Sequence, residues 1–145
     1  MAFDKYKSGF GNSIVTESSL NEIFESADIV SMHVPYTGET RHMVNEEFLA
    51  RFRKKIWFLN LSRGEVVKTT SLIEAIEAGI VLGAGLDVLE NEKIHRLSQI
   101  QQIDFKKLAS MDNVILTPHI GGWSKESLKR ITDTIEIQIR DFQNS

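Results

Sequence analysis

Three short stretches of this 145-residue chain carry side chains that could bind a small acid and move a proton. Arg63 stands in Asn60-Leu61-Ser62-Arg63-Gly64. Asp87 and Glu92 stand in Gly85-Leu86-Asp87-Val88-Leu89-Glu90-Asn91-Glu92. His119 stands in Pro118-His119-Ile120-Gly121-Gly122. Each stretch follows a run of β-type residues, so each ionisable group falls where a strand should end. The planar fork of arginine matches a carboxylate through two parallel hydrogen bonds. An imidazole titrates near working pH, so it can take a hydroxyl proton and return it. A carboxylate beside it fixes its tautomer and stabilises its charged form.

Each group also has a plainer reading. An arginine after a strand is often solvated, an aspartate there is often a turn cap, and a single histidine is more often structural. The order of the three stretches, each after a strand, outweighs these readings. In an open α/β sheet, ligands bind beyond the carboxyl ends of the strands.

Four runs must supply those ends: Ala27 to Val34, Ile56 to Leu61, Val81 to Val88, and Val114 to Thr117. They are rich in Val, Ile, Leu and Phe with little polar alternation, the pattern of strands buried on both faces. Helical segments alternate with them. Ser19-Leu20-Asn21-Glu22 reads as a capping box, and Asn45 as a cap with Glu46 and Glu47 in the first turn. A third helix is expected from about Thr70 to Ala78, stopped by Gly79. The last is expected from Ser124 to Gln143, with Leu128, Ile131, Ile135, Ile139 and Phe142 on one face. Residues 91–112 read as a long polar stretch with short helical turns around Ile94 to Ile100 and Phe105 to Leu108. Strand–helix alternation at these lengths predicts right-handed βαβ units and an α/β, doubly wound parallel sheet.

Composition narrows the function. The chain is 41% hydrophobic and 26% charged, as in ordinary soluble domains. A net charge of −3 offers no basic face for nucleic acid or an anionic membrane. With no cysteine, disulfides and thiolate metal sites are excluded, and a cytosolic setting is expected. No apolar run approaches the ~20 residues that span a bilayer. The four histidines, His33, His42, His95 and His119, form no pair at a metal-ligand interval, so no metal is expected.

The three stretches, together with Ala27 to Thr40, resemble the D-isomer-specific 2-hydroxyacid dehydrogenases, phosphoglycerate dehydrogenase among them. The resemblance covers roughly Ala2 to Phe142. It implies an NAD-dependent oxidoreductase that moves hydride between nicotinamide and C2 of a D-2-hydroxy or 2-keto acid. Arg63 would grip the substrate carboxylate and polarise the keto oxygen. His119 would handle the hydroxyl proton, supported by Glu92, with Glu90 the near alternative. Asp87 would accept the nicotinamide carboxamide. Leu61, Ser62, Arg63, His119, Gly121 and Gly122 would border the nicotinamide. His33, Pro35 and Thr40 would lie along the adenosine half through backbone and packing. Asp4, in Phe3-Asp4-Lys5-Tyr6, would bind the ribose hydroxyls and favour NAD, with NADP still open. Two positions depart from the pattern: Lys93 replaces a usual proline, and Trp123 a smaller residue. Formate dehydrogenases share the fold and the arginine, but their pattern places glutamine where Glu92 stands.

No Gly-x-Gly-x-x-Gly run follows a strand; Gly9-Phe10-Gly11 has neither a preceding strand nor a third glycine. If Asp4 ends a second Rossmann strand, the first strand, its glycine-rich loop and a substrate lobe lie upstream of Met1. Residues 1–145 are then expected to be a partial, Rossmann-like NAD-binding domain that carries the catalytic motifs. Alone it would be weakly active or inactive. Its strand from Ala27 to Val34 would be left with an unpaired edge, and self-association as a homodimer is expected. The alternative is a non-catalytic, cofactor-gated dimerisation module, like the corepressors built on this fold.

Overall fold

A computed structural model describes residues 1–143. Its centre is a four-stranded parallel sheet of β1 (Ile29–Met32), β2 (Ile56–Asn60), β3 (Val81–Leu86) and β4 (Val114–Leu116), in the order β1-β2-β3-β4. The connections hold α2 (Glu46–Ala50), α3 (Thr69–Glu77) and α4 (Gln99–Ala109). Helix α1 (Leu20–Ser26) precedes β1, and α5 (Lys125–Gln143) follows β4. This is the Rossmann-like α/β class expected. Because all four strands are parallel, their carboxyl ends share one edge of the sheet.

Local chemistry sets the helix starts. Ser19 and Glu22 form the reciprocal capping box of α1, and the Asn45 side chain accepts the Phe48 amide at the start of α2. Gly79, at φ +68°, ends the turn after α3 in a conformation that side-chain-bearing residues rarely adopt. The 91–112 stretch holds more order than expected. A short 3₁₀ turn (Ile94–Arg96) leads into the 11-residue α4, opened by a second capping box between Ser98 and Gln101. The amphipathic signal is weak there because α4 buries only Leu108, so the apolar period gave little to read.

The core lies on one face of the sheet. Val30, Met32, Ile56, Phe58, Val81, Ala84 and Leu86 point into it, against Phe24, Leu49, Leu72, Ile76 and Leu108 from the helices. Phe24, Phe48 and Phe52 pack edge to face, with centroids 4.8 to 5.7 Å apart. Fully burying side chains of this size stabilises by roughly 1.5–3 kcal/mol each.

The expectation of strands buried on both faces is not met. Along β1 and β2, burial alternates, and Ile29, Trp57, Leu82 and Ile115 are exposed on the other face. Successive parallel strands added in one direction place every crossover helix on the same side. The apolar stripe of α5, with Leu128, Ile131, Ile135 and Ile139, is also exposed. No helix among the described residues is long and apolar enough to cross a membrane.

Asp4 does not end a strand of this sheet. Its Oδ1 accepts the amides of Tyr6 and Lys7 in a local turn. Nearby, Ala2 makes an isolated parallel bridge to Glu17.

Candidate active site

The ends of β2, β3 and β4 carry the three stretches, and two buried side chains, Asn60 and Asp87, organise the loops after β2 and β4. After β2, Asn60 is 1% exposed. Its Oδ1 accepts the Ser62 amide and hydroxyl, and its Nδ2 donates to the Arg63 carbonyl at 3.0 Å. This bends the chain so that Arg63 emerges at the sheet edge. The Arg63 guanidinium touches only the Ser62 carbonyl, at 2.6 Å, and forms no ion pair among the described residues. Its fork is open to an anion. The Asn60 role is one that reading the sequence missed; a polar residue closing an apolar strand was the available signal.

After β3, Asp87 is 6% exposed and holds the loop that follows β4. Its Oδ1 accepts the Thr117 hydroxyl at 2.5 Å and the Ile120 amide at 2.9 Å, and its Oδ2 accepts the Gly121 amide at 2.7 Å. Burial opposes its charge. The Thr117, Gly121 and Ile120 bonds, together with the nearby His119, outweigh it and hold the carboxyl below its ordinary value. Asp87 is therefore a cap for the 117–121 loop. It leaves acceptor capacity on Oδ2. A Cβ on Gly121 would lie 2.9 Å from Oδ2 and 3.3 Å from the Leu61 side chain, so this loop also abuts the end of β2.

Between these caps sits His119, at φ +55°, a left-handed conformation uncommon for histidine. Its Nδ1 meets the Glu92 carboxylate at 3.0 Å to Oε1 and 3.1 Å to Oε2. An Nδ1–H that donates to Glu92 leaves Nε2 as the working nitrogen. Both side chains are about half exposed, which gives them access to a small reactant. Of the two glutamates left open by the sequence, Glu92 reaches His119. Glu90 turns away to His42 and Thr69.

A cleft of ≈ 740 Å³ opens at the ends of β1 and β2, lined by His33, Val34, Pro35, Tyr36, Leu61, Ser62, Arg63 and Glu65. That volume is in the range of ligand sites. His33 is oriented by Ser31, at 2.8 Å. Thr40 donates to the Pro35 carbonyl at 2.6 Å and so shapes the wall without lining it. Gly122 is exposed at the end of the His119 loop. Asp4 does not line the cleft, although Lys5 and Tyr6 tie its segment to Glu39 in the turn beyond Pro35. No group of three or more metal-ligating side chains forms among the described residues.

Residues 1–121 match the sequence model described as "D-isomer specific 2-hydroxyacid dehydrogenase, NAD binding domain". An aromatic 2-oxoacid reductase of Clostridium sporogenes is 26% identical, over 99% of this chain and 45% of that protein. A D-lactate dehydrogenase of Streptococcus pyogenes is 32% identical, over 94% of this chain and 45% of that protein. Among solved structures, the Aquifex aeolicus D-lactate dehydrogenase complexed with NAD and lactic acid superposes with a TM-score of 0.76 at 34% identity. It matches 98% of this chain and 45% of that one. The chain thus spans a little under half the length of these relatives.

Proposed function

Because the chain belongs to the D-isomer-specific 2-hydroxyacid dehydrogenases, through their NAD-binding domain, we propose that it carries the proton-transfer and acid-binding half of an NAD-dependent 2-hydroxyacid dehydrogenase. Its substrate is a small 2-hydroxy or 2-keto acid. The observation that carries this reading is the Glu92–His119 pair at the end of β4, on a loop capped by Asp87.

The cleft fits a dinucleotide on two counts. Its volume suits a large ligand, and its walls are strand ends whose polar groups are occupied locally rather than crowding the opening. His33 and Pro35 would border the adenosine side, with Thr40 fixing that wall. Leu61, Ser62, Gly121 and Gly122 would border the nicotinamide, and the spare acceptor capacity of Asp87 would receive its carboxamide. When bound, NAD supplies the hydride acceptor, and NADH the hydride. Asp4 is retained as a ribose-binding candidate only through its tethered segment at the edge of the cleft.

Arg63 binds the substrate carboxylate through its open fork and orients C2. His119 Nε2 takes the hydroxyl proton in oxidation and returns it to the keto oxygen in reduction. Glu92 keeps the Nδ1–H tautomer and balances the charge that His119 gains. Asp87 holds Thr117, Ile120 and Gly121 on either side of His119, so the loop that carries the imidazole does not have to be ordered during the reaction.

We extend the reading to a homodimer. It is supported by the free edge of β1 and the exposed Ile29, Trp57, Leu82 and Ile115.

The test is to titrate NADH into wild type and His119→Ala, following energy transfer from Trp57 and Trp123, and to assay turnover of small 2-keto acids. The reading requires saturable NADH binding by both proteins, and any turnover by the wild type, expected to be weak in this chain alone, to be lost in His119→Ala. Binding without turnover in a version extended to the length of the relatives would favour a cofactor-gated module instead. Turnover by the alanine variant would remove His119 from the mechanism.

A further inference from the structure

Behind the candidate active site lies a second histidine–carboxylate pair. Glu90 Oε1 meets His42 Nε2 at 2.7 Å. Its other oxygen, Oε2, accepts the Thr69 amide at 3.2 Å and the Thr69 hydroxyl at 2.8 Å. The pair is only a quarter to a third exposed. One carboxylate therefore binds two segments distant in sequence to the loop that follows β3.

Those segments abut the ones that carry the chemistry. His42 sits at φ +50° and donates its amide to the Glu65 carbonyl at 2.8 Å. It thereby joins the turn after β1 to the residues just beyond Arg63. Gly64, next to Arg63, packs directly against the Glu90 backbone: a Cβ there would lie 1.9 Å from the Leu89 carbonyl oxygen and 2.5 Å from the Glu90 amide nitrogen. Two residues past Glu90, the Glu92 carboxylate reaches His119. Thr69 opens α3, so the anchor is fastened to a helix that packs in the core.

From this juxtaposition we propose that Glu90 is a positioning residue for the reaction, acting through His42 and Thr69 to hold Arg63 and Glu92 in register with His119. The proposal rests on the roles given above to Arg63, Glu92 and His119. Glu90 touches neither Arg63 nor His119 through its side chain. It holds the backbone between them, where a displacement would move both together. The Glu90 side chain sits in a largely buried setting, 25% exposed. There its hydrogen bonds count for more than surface contacts would.

The experiment compares wild type, Glu90→Gln and His42→Gln, each as the 145-residue chain. Three quantities are measured: the urea midpoint, the NMR resonances of the His119 imidazole and the Arg63 Nε–H, and turnover of a 2-keto acid with NADH. The expected result is that both variants move the His119 and Arg63 resonances. kcat should fall by roughly ten- to a hundredfold, the scale of a misplacement of up to about 1 Å, while KM for NADH stays within about twofold. His42→Gln keeps both Thr69 bonds, so it should show the smaller effect. If Glu90→Gln does not fold, His42→Gln decides alone. Lower urea midpoints with unchanged His119 and Arg63 resonances would overturn the proposal, leaving Glu90 a stabilising residue only. If the wild type shows no turnover, the resonances alone decide whether Glu90 positions the two groups, independently of the functional reading.

Discussion

Gly64→Ala is the substitution whose cost can be worked most directly from the geometry. The added Cβ would stand 1.9 Å from the Leu89 carbonyl oxygen, 2.0 Å from its carbon and 2.5 Å from the Glu90 amide nitrogen. To reach ordinary contact, one backbone must retreat by about 1.5 Å. Neither is free to do so. Residues 89–90 are held by the Glu90 bonds to His42 and Thr69. Arg63 and Gly64 are held by Asn60 and by the buried Val66 and Val67. A side-chain rotation cannot relieve a clash with backbone atoms, so the substitution is an overpacking with two fixed walls. Its cost should lie at or above the upper part of the usual range, about 2–3 kcal/mol. For a chain of this size that corresponds to a fall in Tm of roughly 6–12 °C. The assay is urea and thermal unfolding by circular dichroism, with Gly38→Ala as the control. Gly38 has nothing within 4 Å of its added Cβ and no positive φ, so its substitution should be neutral or slightly stabilising. A Gly64→Ala protein within about 0.5 kcal/mol of wild type would refute the tight apposition of the Arg63 and Glu90 loops, and with it the anchoring argument.

Other expectations follow from the same contacts. Arg63→Lys keeps the charge but loses the planar fork; kcat/KM for a 2-keto acid should fall about ten- to a hundredfold, while NADH titration is little changed. Asp87 has a folded carboxyl held below its ordinary 3.8, so its contribution is fully present above that pH and is lost as pH falls through the lower folded value. Unfolding of wild type and Asp87→Asn across pH 2 to 7 should therefore show a stability gap that closes on the acid side; a constant gap would contradict the capping role. Light scattering should return a mass above that of the monomer, and Ile29→Lys with Ile115→Lys should lower it; a wild-type monomer at every concentration would remove the homodimer.

The residues themselves determined the elements and the order of the chemistry. Apolar β-type runs, capping boxes and a left-handed glycine are local signals, and β1 to β4 and α1 to α3 follow them closely. Arg63, Asp87, Glu92 and His119 fall at strand ends because a parallel sheet returns every carboxyl end to one edge. Helix α4 was read only as short turns because it buries Leu108 alone and shows no apolar stripe, although its Ser98–Gln101 capping box was a local signal. What remained to tertiary structure was pairing. Glu90 and Glu92 are both carboxylates two residues apart, and only the path of the loop sends one to His119 and the other to His42. Asp87 could be read as a ligand-facing acceptor or as a turn cap; only the fold shows that it caps residues 117–121, with acceptor capacity left on Oδ2. The exposed sheet face likewise depends on which side the crossovers take, a choice that the handedness of successive βαβ units makes and that no single strand's composition records.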